Sequence, residues 1–135
     1  MESLWPQFEE VTVNIPYKIL QEQATLFNEQ MQGLLTCNVE KGKYQKNDYI
    51  RFRDYDYEAS MYISSPNLPD YRLQLIEVYF SVSKAYPCGV LNCLEEFVNE
   101  TTADNAEEFK NTLKNIFHSE KVVRALQNIA TQSQL

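Results

Sequence analysis

Three acidic residues, Asp54, Asp56 and Glu58, alternate along the sequence as D-x-D-x-E, a spacing that could bring carboxylates together for chemistry. Successive side chains of a β-strand point to opposite faces, so alternate residues share one face about 7 Å apart. Carboxylates in that arrangement could hold a hard cation or transfer protons. The glycine of a calcium-binding loop does not follow them, and we interpret them as part of a solvated sheet face.

Cys88 and His118 are the other residues whose chemistry could serve catalysis. A cysteine becomes nucleophilic where a cation or a helix terminus stabilises its thiolate, whereas free cysteines more often fill small core positions. His118 is the only histidine and lies between two helical segments, where the helix dipole alone favours it. Cys88 and Cys93 lack the C-x-x-C spacing of a zinc site. We therefore predict no catalytic residue, no metal site and no cofactor.

A mixed aromatic, basic and aliphatic surface is the remaining candidate. Side-chain alternation predicts that one face of the sheet carries Arg51, Arg53, Tyr62, Tyr71, Leu73, Leu75 and Tyr79. Tyrosine and arginine are enriched among residues that anchor protein interfaces, and an apolar sheet face left exposed usually has a partner. Alternatively, the N-terminal arm, residues 1–13, folds back over this face with Trp5, Phe8, Val11 and Val13. Both interpretations stay open.

The elements that must position these residues begin with a helix and a strand. Apolar residues at spacings of four, three and four predict an amphipathic helix between Pro16 and Gly33; they are Leu20, Ala24, Phe27 and Met31. Residues 35–40 then alternate apolar and polar, which predicts a half-buried strand that ends at a turn over residues 41–43.

The acidic alternation falls in a second strand whose phase changes. Ile50 and Phe52 put even positions on the apolar face, whereas from Tyr57 to Ile63 the odd positions are apolar. Because a shift of one residue exchanges the two faces, we predict a bulge or short turn around residues 53–55. The charged residues on either side of Tyr55 then point to solvent.

Residues 64–70 predict a turn, and residues 71–83 a strand that is apolar on both faces. Ile76, Val78, Phe80 and Val82 share one of these faces. Residues 86–93 predict a shorter fourth strand.

The last third changes to helical spacing, with a capping box at Asp104 and Glu107 and a second helix start at Ser119. This order predicts an α+β fold with an N-terminal helix, an antiparallel sheet of about four strands, and two C-terminal helices packed on one face. We expect a single domain over residues 1–135.

The charge balance limits the classes of partner. The 135 residues carry a formal net charge of −7, and the basic residues are scattered, so we expect no nucleic-acid binding. The N-terminus does not resemble a signal peptide, and no apolar run approaches the length of a membrane span. Three cysteines are an odd number, as expected where thiols stay reduced. We expect a cytoplasmic protein that does not bind membranes.

Three segments together resemble a scattered group of small, uncharacterised bacterial proteins. The likeness lies in the Pro-led helix with the L-x-E-Q-A run at Leu20–Ala24, the strand entry Tyr71-Arg72, the strand start Tyr86-Pro87, and the helix pair with Ser119-Glu120-Lys121. It covers about three-quarters of the chain, and residues 51–58 depart from it. The resemblance implies a bacterial source and a shared fold, and it transfers no functional site.

These observations favour a non-enzymatic function in protein–protein interaction, as a homodimer or as a small accessory or immunity-type protein. The alternative is a small-ligand-binding protein or an enzyme with a pocket between the sheet and its helices. A protein partner or self-association is therefore expected first.

Overall fold

The computed structural model describes residues 1–8, 14–44, 55–95 and 100–135. Within these ranges the chain forms three helices and a five-stranded antiparallel sheet, which confirms the predicted α+β class. The helices are α1 (Pro16–Met31), α2 (Ala106–Phe117) and α3 (Glu120–Ser133). The strands are β1 (Thr36–Lys43), β2 (Tyr57–Ser64), β3 (Arg72–Phe80), β4 (Cys88–Asn92) and β5 (Glu100–Ala103). Each strand pairs with the next along the chain, so the sheet order is β1-β2-β3-β4-β5.

Helix α1 begins and ends where backbone conformation requires it. Pro16 occupies the first turn, where its fixed φ suits a helix and its missing N–H costs nothing. The helix ends at Met31 because Gln32 and Gly33 take left-handed conformations, with φ of 49° and 88°. The backbone N–H of Gln32 then donates to the carbonyl of Asn28 at 3.2 Å.

The two C-terminal helices begin at or near the predicted positions. Helix α2 begins one residue later than predicted, and α3 begins where predicted. The cap of α2 is Asn105, not Asp104, since its side chain accepts from the backbone N–H of Glu108 at 2.9 Å. Glu108 in turn accepts from the N–H of Asp104 at 2.7 Å, so the capping interaction is displaced by one residue. Ser119 occupies the N-cap position of α3 as predicted, but its side chain makes no capping hydrogen bond and its hydroxyl donates to the carbonyl of Ile116.

The edges of the sheet differ from the sequence prediction. The turn predicted at residues 41–43 is wrong, because β1 continues through them and pairs with residues 57–59 of β2. The prediction of about four strands omitted β5, a strand of only four residues that pairs with β4. Its sequence, Glu-Thr-Thr-Ala, has no apolar alternation that would reveal a strand.

A β-bulge lies in β3 opposite the Met61–Tyr62 step. Met61 pairs with Ile76 and Tyr62 pairs with Gln74, so Leu75 has no opposite residue on β2. The extra residue shifts the side-chain alternation of β3, as bulges do. Leu73, Leu75, Ile76 and Val78 therefore all face the helices, while Gln74, Glu77 and Tyr79 face the other way.

The three helices pack on one face of the sheet and form the main core with it. Side chains from every helix take part, among them Leu20 of α1, Phe109 of α2 and Val122 of α3, each essentially without solvent exposure. The odd residues of β2, from Tyr57 to Ile63, face this core, which confirms the predicted direction of the strand. We call this side of the sheet the helix side and the opposite side the outer face.

Candidate functional site

The acidic alternation does not form a cation site in the part of the structure that is described. Asp54 lies outside the described residues. Asp56 is exposed, and its carboxylate accepts from the backbone N–H of Val82 at 3.0 Å, which ties the end of β3 to the start of β2. Glu58 lies half-buried on the outer face. Within the described ranges no group of three or more His, Cys, Asp or Glu side chains could hold a metal ion.

The three cysteines are packed thiols whose burial keeps them protonated at neutral pH. Cys37 and Cys88 are buried, Cys93 is half-buried, and all three are free. Burial raises the pKa of Cys37 and of Cys88 to about 12. Burial, with a further contribution from the Glu77 carboxylate, raises the pKa of Cys93 to about 12 as well. Because the thiolate is the nucleophilic form, none of these residues is suited to covalent catalysis at neutral pH.

His118 lies at the C-terminal end of α2, where the sequence places it. Its ring nitrogen Nδ1 lies 2.9 Å from the carbonyl oxygen of Lys114. A carbonyl only accepts, so Nδ1 carries the hydrogen in this contact. This contact fits the capping role expected for a histidine at a helix end.

The residues predicted to form one interaction surface do not all share a face. Arg51 and Arg53 lie outside the described residues. The prediction that Leu73 and Leu75 lie on the outer face is wrong. Both pack into the main core, and Leu75 is only 2% exposed. The bulge turns these side chains toward the helices. Tyr79 does point to the outer face but is fully buried. Of the seven residues, Tyr62 is half-buried and Tyr71 is exposed.

Tyrosine side chains cover the apolar part of the outer face. The ring of Tyr44 meets the ring of Tyr79 edge-on, with centroids 4.9 Å apart, and Leu91 and Tyr55 complete this aromatic cluster. In one of the two interpretations left open by the sequence, the N-terminal arm covers this face. Trp5 and Phe8 remain 78% and 77% exposed, so they do not cover this face, and Val11 and Val13 lie outside the described residues.

The rest of the outer face is a hydrogen-bonded polar network around Glu77. Gln74 donates to one carboxylate oxygen of Glu77 at 2.5 Å and to the hydroxyl of Ser60 at 3.2 Å. The hydroxyl of Tyr79 donates to the other oxygen of Glu77. Every buried side-chain nitrogen and oxygen in the described ranges has a partner, so this network is internally satisfied.

A cleft of about 370 Å³ opens on the helix side between α1 and the α2–α3 junction. Core residues of the sheet form its floor; they are Cys37, Met61, Ile63 and Leu75. One wall is the second half of α1, with Leu26, Phe27 and Met31, and the other is formed by Phe117, Val123 and Leu126. Leu26 and Val123 at the mouth are exposed. Pockets of this volume with apolar walls are typical of binding sites.

Hydrogen bonds anchor α1 to the sheet and the end of α3 to the turn between β2 and β3. The amide of Asn28 on α1 bonds the backbone of Cys37 twice, accepting from its N–H at 2.6 Å and donating to its carbonyl at 3.0 Å. The end of α3 is held where Asn67 donates to the carbonyl of Ser133 at 2.7 Å. Each of the two helices that border the cleft is therefore anchored to a neighbouring part of the fold.

A second depression of about 310 Å³ continues the cleft toward the start of α1. It shares Gln23, Phe117 and His118 with the cleft and is bordered by Lys110 and Lys114 of α2. The acidic residues of α1, Glu22 and Glu29, line neither depression. The combined groove thus has an apolar section and a section with positive charge at its border.

Sequence reasoning identified the helical stripes that line this groove but not the gap between them. Helical spacing places Phe27 and Met31 on the core side of α1, and Val122, Val123 and Leu126 on one side of α3. The one available signal is the Val122-Val123 pair, which makes the apolar stripe of α3 wider than one contact with the sheet requires.

Searches against protein-family models, curated proteins and solved structures gave no match. In the described ranges, no helix combines the length and apolar character that crossing a bilayer requires.

Proposed function

We propose that this chain is a non-enzymatic interaction protein whose partner places an extended apolar segment in the groove between α1 and the C-terminal helices. The observation that carries the proposal is the length of the groove. Its lining residues on α1 run from Ile19 to Met31, about 18 Å at the rise of an α-helix. An extended segment of about five residues has the same length.

The apolar walls and the charged border of the groove indicate the chemistry of the partner segment. Apolar walls suit large aliphatic or aromatic side chains, which contribute most of the binding energy in such grooves. Lys110 and Lys114 at the border favour acidic residues beside that apolar segment, because opposite charges steer and orient a partner. The expected partner segment is therefore apolar at its centre and acidic at its flanks.

A small amphipathic ligand is the second candidate, and the mouth of the cleft favours it. Gln23, Gln30 and His118 supply a few polar groups beside an apolar volume of about 370 Å³, the usual composition of a small-molecule pocket. The protonated thiol of Cys37 in the floor supports binding rather than covalent chemistry. Under this alternative a ligand would remain bound through purification.

The methionines provide a direct test of the groove. Met31 and Met61 line the cleft, so their methyl groups report directly on what binds there. On titration with excess 1-anilinonaphthalene-8-sulfonate, an apolar anion, we expect the ¹³C-methyl NMR signals of Met31 and Met61 to shift saturably. Probe fluorescence that rises without these shifts would mean that the probe binds elsewhere, and the proposal would fail.

Two matched variants locate the binding. Val123→Glu places a charge at the mouth of the cleft, and we expect it to weaken probe binding at least about tenfold, a cost of about 1.4 kcal/mol. Val82→Glu changes another exposed valine, outside the cleft, and should leave binding unchanged. Native mass spectrometry of the purified chain separates the two candidates, since a retained small molecule supports the second.

A further inference from the structure

The chain itself carries a segment with the chemistry that the groove selects. Residues 1–10 read MESLWPQFEE, with apolar residues Leu4, Trp5 and Phe8 at the centre, Glu2 before them and Glu9 and Glu10 after them. Leu4 is 95% exposed, and Trp5 and Phe8 are nearly as open to solvent. Three large apolar side chains exposed in so short a segment usually mark an interaction site.

From these features, and resting on the proposed function of the groove, we infer that the N-terminal arm of one copy of this chain binds in the groove of a second copy. The exchange is reciprocal, as in a twofold-symmetric dimer in which the same surface serves both subunits. The partner named here is therefore a second copy of the chain.

The backbone of the arm suits an extended binding mode. Residues 1–8 contain no helix or strand, and Pro6 restricts both its own φ and the conformation of Trp5 to the extended region. In a polyproline-type conformation with three residues per turn, Trp5 and Phe8 lie on the same side, about 9 Å apart. Two rings at that separation can occupy two successive positions along a groove about 18 Å long.

The area available is that of a stable interface. An aromatic side chain buries roughly 150–250 Å², so the four rings of two exchanged arms bury roughly 600–1,000 Å². With a similar area from the grooves, the total is about 1,200–2,000 Å², the standard size for specific complexes. The acidic residues in the sequence of the arm and the lysines at the border of the groove, Lys110 and Lys114, carry opposite charges, so the two are complementary.

The arm of the same chain is a poorer occupant than the arm of a second copy. The six residue steps from Phe8 to Asn14 span at most about 20 Å, and the middle of the groove lies about 17 Å along α1 from Asn14. The chain's own arm would have to be nearly fully extended along α1 to reach it. In the single chain Trp5 and Phe8 are instead exposed.

Light scattering and sedimentation of the full chain test the exchange. We expect a dimer at micromolar concentration, and Trp5→Ala/Phe8→Ala should weaken dimerisation by roughly 100-fold or more, as for central aromatic anchors. Val123→Glu and Leu26→Glu, which change exposed residues at the mouth of the cleft, should do the same. Tyr71→Ala and Val82→Glu change exposed residues outside the groove and should leave the dimer intact.

A mixing experiment makes the result specific. The Trp5→Ala/Phe8→Ala chain keeps its groove and the Val123→Glu chain keeps its arm, so a heterodimer of the two retains one of the two arm–groove contacts. We expect this one-to-one heterodimer to be tighter than the homodimer of either variant and weaker than the parent dimer. A full chain that is monomeric at 100 μM, about the highest useful concentration, or a dimer that survives Trp5→Ala/Phe8→Ala, overturns the inference. A monomer whose Met31 and Met61 signals shift on Trp5→Ala/Phe8→Ala also overturns it, because its own arm then fills the groove.

Failure of the exchange can be told apart from failure of the groove. If the Trp5→Ala/Phe8→Ala chain still binds 1-anilinonaphthalene-8-sulfonate at Met31 and Met61, the groove is a binding site for some other partner. If neither the arm nor the probe affects these signals, the proposed function fails as well.

Discussion

The two faces of the sheet bury their side chains by different physical means. The helix side is a large apolar core with helices from both ends of the chain packed on it. The outer face has a small aromatic cluster of Tyr44, Tyr79 and Leu91 beside a polar network centred on Glu77. Apolar packing depends on close contact between surfaces, whereas a buried polar network must satisfy every donor and acceptor. The groove lies on the helix side, where it separates α1 from Phe117, Val123 and Leu126.

Leu75 of β3 lies on the helix side, so its substitution measures how much the apolar core contributes to stability. Leu75→Ala should cost about 2–5 kcal/mol of unfolding free energy, because it removes buried apolar volume and leaves a cavity beside the cleft. Tyr71→Ala, just before the strand, is the control and should cost less than about 1 kcal/mol as an exposed position. Urea denaturation measures both, and a small loss for Leu75→Ala would contradict the bulge and return Leu75 to the outer face.

A smaller effect is expected from the polar network of the outer face. Tyr79→Phe keeps the buried ring but removes the hydroxyl that donates to Glu77, so we expect a loss of about 1–3 kcal/mol. The same substitution combined with Glu77→Gln should be non-additive by at least about 0.5 kcal/mol, since the two groups share one contact. Additive losses in urea denaturation would show that the network does not act as a unit.

The smallest expected effect concerns the ionisation of Glu58. Burial, and then the neighbouring Glu77 carboxylate, raises the pKa of Glu58 in the folded chain. The folded state then holds more protons than the unfolded state, so this residue makes stability fall as pH rises from the unfolded pKa to the folded pKa. Above that window the penalty is constant.

Glu58→Gln should therefore stabilise the chain at pH 7, by at most about 0.5 kcal/mol because solvent screens this partly exposed group. The difference should disappear below about pH 4, where the unfolded carboxyl is also protonated. Urea midpoints between pH 3.5 and pH 7.5, with the exposed Glu29→Gln as control, measure the change. A variant that is less stable than the parent at pH 7 would contradict the assigned direction of the pKa shift.

The fold class was predictable because each element has a local signal. Helical spacing identified α1, α2 and α3, and the odd residues of β2 face the core as their alternation predicts. The one-residue error at Asn105 and the turn wrongly predicted at residues 41–43 have a common cause. Both boundaries depend on which neighbouring group completes a hydrogen bond, and short sequences leave several choices open.

The predicted surface was less successful because it depended on counting alternate residues along β3. The extra residue at Leu75 reverses the side-chain directions that regular alternation gives to the first part of β3. Leu73 and Leu75 therefore point to the core and not to the outer face. Nothing local marks this bulge, since a leucine at that position suits either face. The Tyr44–Tyr79 contact likewise joins residues far apart in sequence, and it buries a tyrosine predicted to be on an interaction surface.

The sequence by itself determined the order of the elements, the apolar side of each helix, the acidic balance and the apolar and acidic composition of the N-terminal arm. Periodicity and composition encode these properties within a few residues of each other. Only the tertiary structure decided which side of β3 is buried, what covers the outer face and where a cleft remains. These depend on strand register and on the distance between α1 and α3, which arise when separate segments pack and which no single segment contains.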